Sequence, residues 1–162
     1  MNIADIKSEL DLRHWLAEYK KFKIDWVEPG LYGSSMGAPD CKVHYYDWII
    51  SLELKIFVQN KYGIKCSVRP SQRRWHYQHM RTGGRSAILA FVFGSHKTSS
   101  DCDKLILIRG DNIPWRDYAS HPESHCKDGR LNYRLVGNMF DDNVKAHNEL
   151  EKCLFQHYFW EE

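Results

Sequence analysis

The chain has 162 residues, 43% hydrophobic and 27% charged, which suits one domain with a sizeable core. No run of eighteen apolar residues occurs, and the N-terminus, MNIADIKSELDLRHW, carries acids early; this argues against a membrane-spanning helix and a secretory leader. The net charge of +2 is unevenly spread: residues 55–100 hold nine Lys/Arg and no acid, between flanks of net −3 (1–54) and −4 (101–162).

In chain order, residues 11–21 predict a helix capped by Asp11, with Leu12, Trp15, Leu16 and Tyr19 at i, i+3, i+4, i+7. The Gly-, Ser- and Pro-rich stretch 29–39 predicts a loop. Residues 40–45 and 48–57, dense in β-branched and aromatic side chains around Tyr46-Asp47, predict a hairpin. A second helix is expected over 71–82, capped by Ser71 and closed by Gly83-Gly84. The apolar runs 86–93 and 104–108 predict strands buried on both faces. Residues 110–138 read as irregular, and 141–158 as a last amphipathic helix with Val144, Leu150, Cys153, Leu154 and Tyr158 toward the core. The sum is an α/β domain with a mixed sheet flanked by helices.

The chemistry concentrates on the hairpin. Alternate strand residues share a face, so Glu53 and Lys55 point one way while Leu52, Leu54 and Ile56 point the other. If the loop is centred on Tyr46-Asp47, Tyr45 faces Trp48, Val43 faces Ile50 and Asp40 faces Glu53; a three-residue loop would shift this register by one. Opposed carboxylates repel, which suggests a cation between them, and hard divalent ions such as Mg²⁺ take oxygen ligands. Taken alone, an E-x-K tripeptide on a strand is most often a surface ion pair.

Gly37-Ala38-Pro39-Asp40, a gap of twelve, then Glu53-Leu54-Lys55 resembles the PD-(D/E)xK nuclease signature. Pro70-Ser71-Gln72 with Trp75 resembles the downstream element of its VRR-NUC and phage or archaeal Holliday-junction-resolvase branches. The resemblance covers about residues 33–93. It implies a restriction-endonuclease-like core with Mg²⁺ or Mn²⁺ held by Asp40, Glu53 and the Leu54 backbone carbonyl. It also implies a catalytic Lys55, a supporting Gln72, and a further acid from the first helix, for which Glu18 and Glu9 are candidates, with Glu28 on a nearby loop. The implied activity is a metal-dependent deoxyribonuclease that favours branched DNA and works as a homodimer. A non-catalytic DNA-binding module with the same fold and a restriction-type endonuclease are the alternatives. On this reading residues 1–162 form one nuclease domain, with a motif-bearing core at about 33–110 and an extension over 111–162 ending in the final helix.

Within 71–82, Gln72, Trp75, His76 and His79 share one helical face, which turns Gln72 toward the sheet. Arg73, Tyr77 and Arg81 share another, with Arg74 adjacent. Lys61, Lys65, Arg69 and Arg85 flank this stripe without a compensating acid, a pattern that suits phosphate contacts and base stacking. The five scattered cysteines (Cys41, Cys66, Cys102, Cys126, Cys153) form no C-x-x-C, so free thiols and a cytoplasmic setting are expected. A zinc site from His96, Cys102, His121, His125 and Cys126 ranks lower, because Pro122 interrupts the His121–His125 spacing. A cysteine nucleophile ranks lower still, and no phosphate-binding or dinucleotide glycine motif is present.

Overall fold

The computed structural model describes residues 1–27, 37–95, 101–114, 125–126 and 130–161. It is a mixed α/β architecture built on one seven-stranded sheet flanked by helices. The chain opens with a 3₁₀ turn (Ile3–Asp5), α1 (Glu9–Ala17) and β1 (Lys23–Trp26), then forms the hairpin of β2 (Cys41–Tyr45) and β3 (Trp48–Asn60). A short β4 (Gly63–Lys65) leads into α2 (Pro70–Arg81), β5 (Ser86–Phe93), β6 (Lys104–Arg109) and β7 (Arg134–Asn138). The helix α3 (Asn143–Phe155) and a single turn, α4 (His157–Trp160), follow. The strand order is β1-β2-β3-β5-β6-β7, with β4 on the end of β3. Among the described strands only β3 and β5 run parallel, as expected for two strands joined through a helical crossover, here α2.

The hairpin turns on Tyr46-Asp47, with Tyr46 in the left-handed region at φ 52°. Its register pairs Tyr45 with Trp48, Val43 with Ile50 and Cys41 with Leu52, where the ladder ends; Asp40, the next residue, accepts the Leu54 N–H. Two apolar clusters cover the faces of the sheet. One gathers Leu12, Trp15 and Leu16 of α1, Leu52 and Leu89 of the sheet, and Leu150 and Leu154 of α3. The other gathers Phe57, Ile64, Val68, Ile88, Ile106 and Ile108 on the opposite face. Residues 134–155 thus share both sheet and core with the motif-bearing strands.

Several expectations are corrected. The first helix starts at Glu9, not 11, because the Ser8 hydroxyl accepts from the Asp11 N–H; Asp11 instead receives the Lys7 N–H. The second helix is capped at Arg69, not Ser71: Pro70 occupies the first helical position, where its missing N–H costs nothing. Strands β1, β4 and β7 were not anticipated; β7 lies inside the stretch read as irregular. Val144 and Tyr158 are exposed rather than core. The inner face of α3 is set by Ala146, His147, Leu150, Cys153 and Leu154, which turns Val144 outward, and Tyr158 lies past the end of that helix. No helix among the described residues is long and apolar enough to cross a membrane. All five cysteines are free thiols.

Candidate active site

The site lies where β3, among the described residues, has no strand partner on one edge. β2 accompanies β3 only to Leu52, and β4 joins the same edge only from Val58. In that gap the Leu54 N–H donates to Asp40 Oδ2 at 2.7 Å. A strand residue projects N–H and C=O from the same edge, so the Leu54 carbonyl points into the gap as well. Gly37 helps set Asp40 there: its φ is 92°, and a Cβ on it would collide with the Ser71 carbonyl at the start of α2. Gly37→Ala is expected to cost about 1–3 kcal/mol, read as a lower urea midpoint; an unchanged midpoint would refute this role for the loop.

Glu53 is 3% exposed. Gln72 Nε2 donates to its Oε1 at 2.8 Å, and Lys55 Nζ stands 3.5 Å from the same oxygen. Gln72 is itself fixed, since its Oε1 accepts the Arg69 N–H at 3.1 Å. Glu53 Oε2 is buried and meets no hydrogen-bond donor among the described residues. Burial, then the charge of Asp40, raises the Glu53 carboxyl to about 8, against a downward pull from Lys55. One turn along α2 from Gln72, His76 is fully buried, and neither ring nitrogen has a partner among the described residues. Its pKa is lowered to about 4 by burial, then by His79 and Lys55, so it is neutral at pH 7. Its place on the Gln72 face was legible in the helical spacing; its isolation was not.

Of the two helix acids, Glu9 belongs to the site and Glu18 does not. Glu9 lines a cleft of about 230 Å³ with Leu10, Arg13, Trp26, Asp40 and Leu54. Glu18 caps the far end of α1 and binds the chain's amino terminus at 3.0 Å. Glu28 lies outside the described residues. Among those residues no group of three or more His, Cys, Asp or Glu side chains is placed to hold a metal ion. The donors present are oxygens: the Asp40 and Glu53 carboxylates, the Leu54 carbonyl, and the exposed Glu9 at the mouth. Such a set fits a hard divalent cation that keeps much of its water, and the unpartnered Glu53 oxygen is the atom that fits it best.

No protein-family model and no curated protein sequence matches this chain.

The basic residues divide. Lys61, Arg69, Arg74 and Arg81 are exposed, while Lys65, Tyr77 and Arg85 are half-buried. Arg81 lies over the Tyr77 ring at 5.7 Å and Arg85 over Trp48 at 3.6 Å. Arg73 is a correction: it is buried and donates to the Pro114 carbonyl at 3.1 Å, so it supports the fold rather than the surface stripe. Lys61 sits just past the far end of β3, roughly 25 Å along the strand from Glu53, and Lys65 pairs with Val58, roughly 17 Å along it, while Arg81 and Arg85 sit toward its other end. They make a strip, not one patch. Of the zinc candidates, His96 and His121 lie outside the described residues, and His125 Nε2 is 3.3 Å from Asn60 Nδ2. A second cavity of about 270 Å³, lined by Arg109, Asn112, Asn132 and Arg134, lies away from Glu53. Its Arg109 is engaged by Asp111 and the Phe159 carbonyl.

Proposed function

We propose that this protein is a divalent-metal-dependent deoxyribonuclease of the PD-(D/E)xK kind, hydrolysing phosphodiester bonds at the gap in β3, with a preference for branched DNA. One observation carries the reading: Glu53 is buried within reach of the Asp40 charge, held by Gln72 and Lys55 on one oxygen and, among the described residues, left without a donor on the other. With both groups ionised, two carboxylates so placed destabilise the protein unless a cation joins them. Mg²⁺ or Mn²⁺ held by Asp40, Glu53 and the Leu54 carbonyl would supply Lewis-acid chemistry to the phosphodiester. Lys55, 12% exposed, offers N–H donors to the charge that develops on the phosphoryl oxygens as water attacks phosphorus and the P–O ester bond breaks. Gln72 keeps Glu53 in its rotamer. Arg69, Arg74 and Arg81 provide sequence-independent phosphate contacts. Each chain carries one such gap, so cutting two strands calls for a homodimer.

Incubation with Mg²⁺ or Mn²⁺ and labelled single-strand, duplex, flap and four-way-junction DNA tests the proposal. Cleavage of branched substrates, abolished by EDTA, is expected. Salt-dependent binding of every substrate with no cleavage would favour a non-catalytic DNA-binding module instead.

A further inference from the structure

Lys42 sits on β2 two residues from Asp40, paired with Ser51 of β3. Alternation puts its side chain on the face that carries Asp40 and Glu53, and it is exposed. Helix α2 runs back across this face. Its Gln72 meets Glu53, and seven residues later, about 10 Å along the helix, His79 is close enough for the Lys42 charge to lower its pKa, second only to burial. The His79 ring is stacked on Trp75, with centroids 4.7 Å apart and planes at 17°. Gly84 seats this stack: a Cβ there would collide with the His79 imidazole. Trp75 and His79 are both half-exposed. Arg74 and Arg81 are exposed on the same helix, and the sequence from 55 to 100 has no acid.

We propose that Lys42 and the stacked Trp75–His79 pair form a subsite for one unpaired base and its phosphate, on a DNA single strand leading into the Glu53–Lys55 site. The occupant follows from the chemistry. A cation beside a preorganised aromatic stack suits a polyanion with flat bases, and stacking on protein rings is sequence-tolerant. A base inside a duplex has both faces covered, so only an unpaired base can use the stack. The assignment rests on the nuclease reading for the place of the scissile phosphate, and it specifies that reading: the preferred substrate has unpaired nucleotides beside the cut.

The test is fluorescence anisotropy with Ca²⁺ replacing Mg²⁺, using a labelled single strand and a duplex of the same sequence over a salt series. Lys42→Ala is expected to weaken single-strand binding about three- to ten-fold and to lower the salt slope by about 0.7. Trp75→Leu is expected to weaken it about ten-fold or more while changing duplex affinity less than about two-fold, and Trp75→Phe to recover most of the loss. Lys42 is exposed, so its variant reports on binding without a folding penalty. If the native protein binds and cleaves while both variants bind single strands unchanged, the subsite is wrong and the nuclease reading stands. If Trp75→Leu weakens duplex and single strand equally, the unpaired-base assignment is wrong. A native protein that binds neither form overturns both.

Discussion

Lys55→Ala is expected to lower the rate of DNA cleavage by about 10²–10³-fold while leaving DNA affinity within about two-fold. The ammonium is nearly enclosed, 3.5 Å from Glu53 Oε1, and too recessed to contribute much to strand binding. Its removal acts twice. On the proposed mechanism it takes away a donor to the growing phosphoryl charge, and it removes a neighbouring cation that lowers the Glu53 pKa. The carboxyl then holds its proton to higher pH, so the acidic limb of the residual activity should move toward alkaline pH. Lys55→Arg keeps the charge and should restore that limb while recovering only part of the rate, because its planar fork has different reach. Single-turnover cleavage and anisotropy, run side by side, separate the two effects. A Lys55→Ala protein that cuts within two-fold of native would remove this residue from the mechanism.

The second large effect is on stability and requires no substrate. The folded Glu53 carboxyl titrates near 8, against an ordinary value of 4.5. Between those values the folded state holds a proton that the unfolded state has lost, so stability is present at low pH and falls as pH rises. His76, His79 and His147 work the other way, since their folded pKa values are below the ordinary 6.5 and their contribution is lost as pH falls. They oppose Glu53 below about pH 6.5. Above that the Glu53 loss dominates, at about 2 kcal/mol between pH 6.5 and 8. Glu53→Gln keeps the shape and the contact with Gln72 but carries no charge, so its stability should stay flat over that range and exceed the native value at pH 8. Mn²⁺ should restore the native protein at pH 8 by mass action, by about 2.7 kcal/mol at a hundred times its dissociation constant, and should leave the variant unmoved. Denaturant midpoints at the two pH values decide the matter: a native protein equally stable at both would show that Glu53 is not held protonated.

The sequence by itself determined the features that depend on near neighbours in the chain. The Tyr46-Asp47 turn and the two-residue strand period are local, so the register that pairs Tyr45 with Trp48 and Val43 with Ile50 could be counted out residue by residue. The spacing of Gln72, Trp75, His76 and His79 is likewise local, and it turns Gln72 toward the sheet beside β3; the contact with Glu53 itself is tertiary. Tertiary structure decided the rest. β1, β4 and β7 are three to five residues long, too short for a hydrophobic period, and they are strands because a neighbouring edge was free to receive them. Arg73 has the sequence context of a surface arginine; the Pro114 carbonyl, 41 residues away, draws it inside. Glu9 and Glu18 stand on the same short helix, and only the docking of α1 against the sheet puts one in the cleft and the other at the amino terminus. The gap in β3 and the buried, half-satisfied Glu53 arise where three strands and a helix meet. Desolvation there depends on every atom that excludes water, which no local pattern encodes.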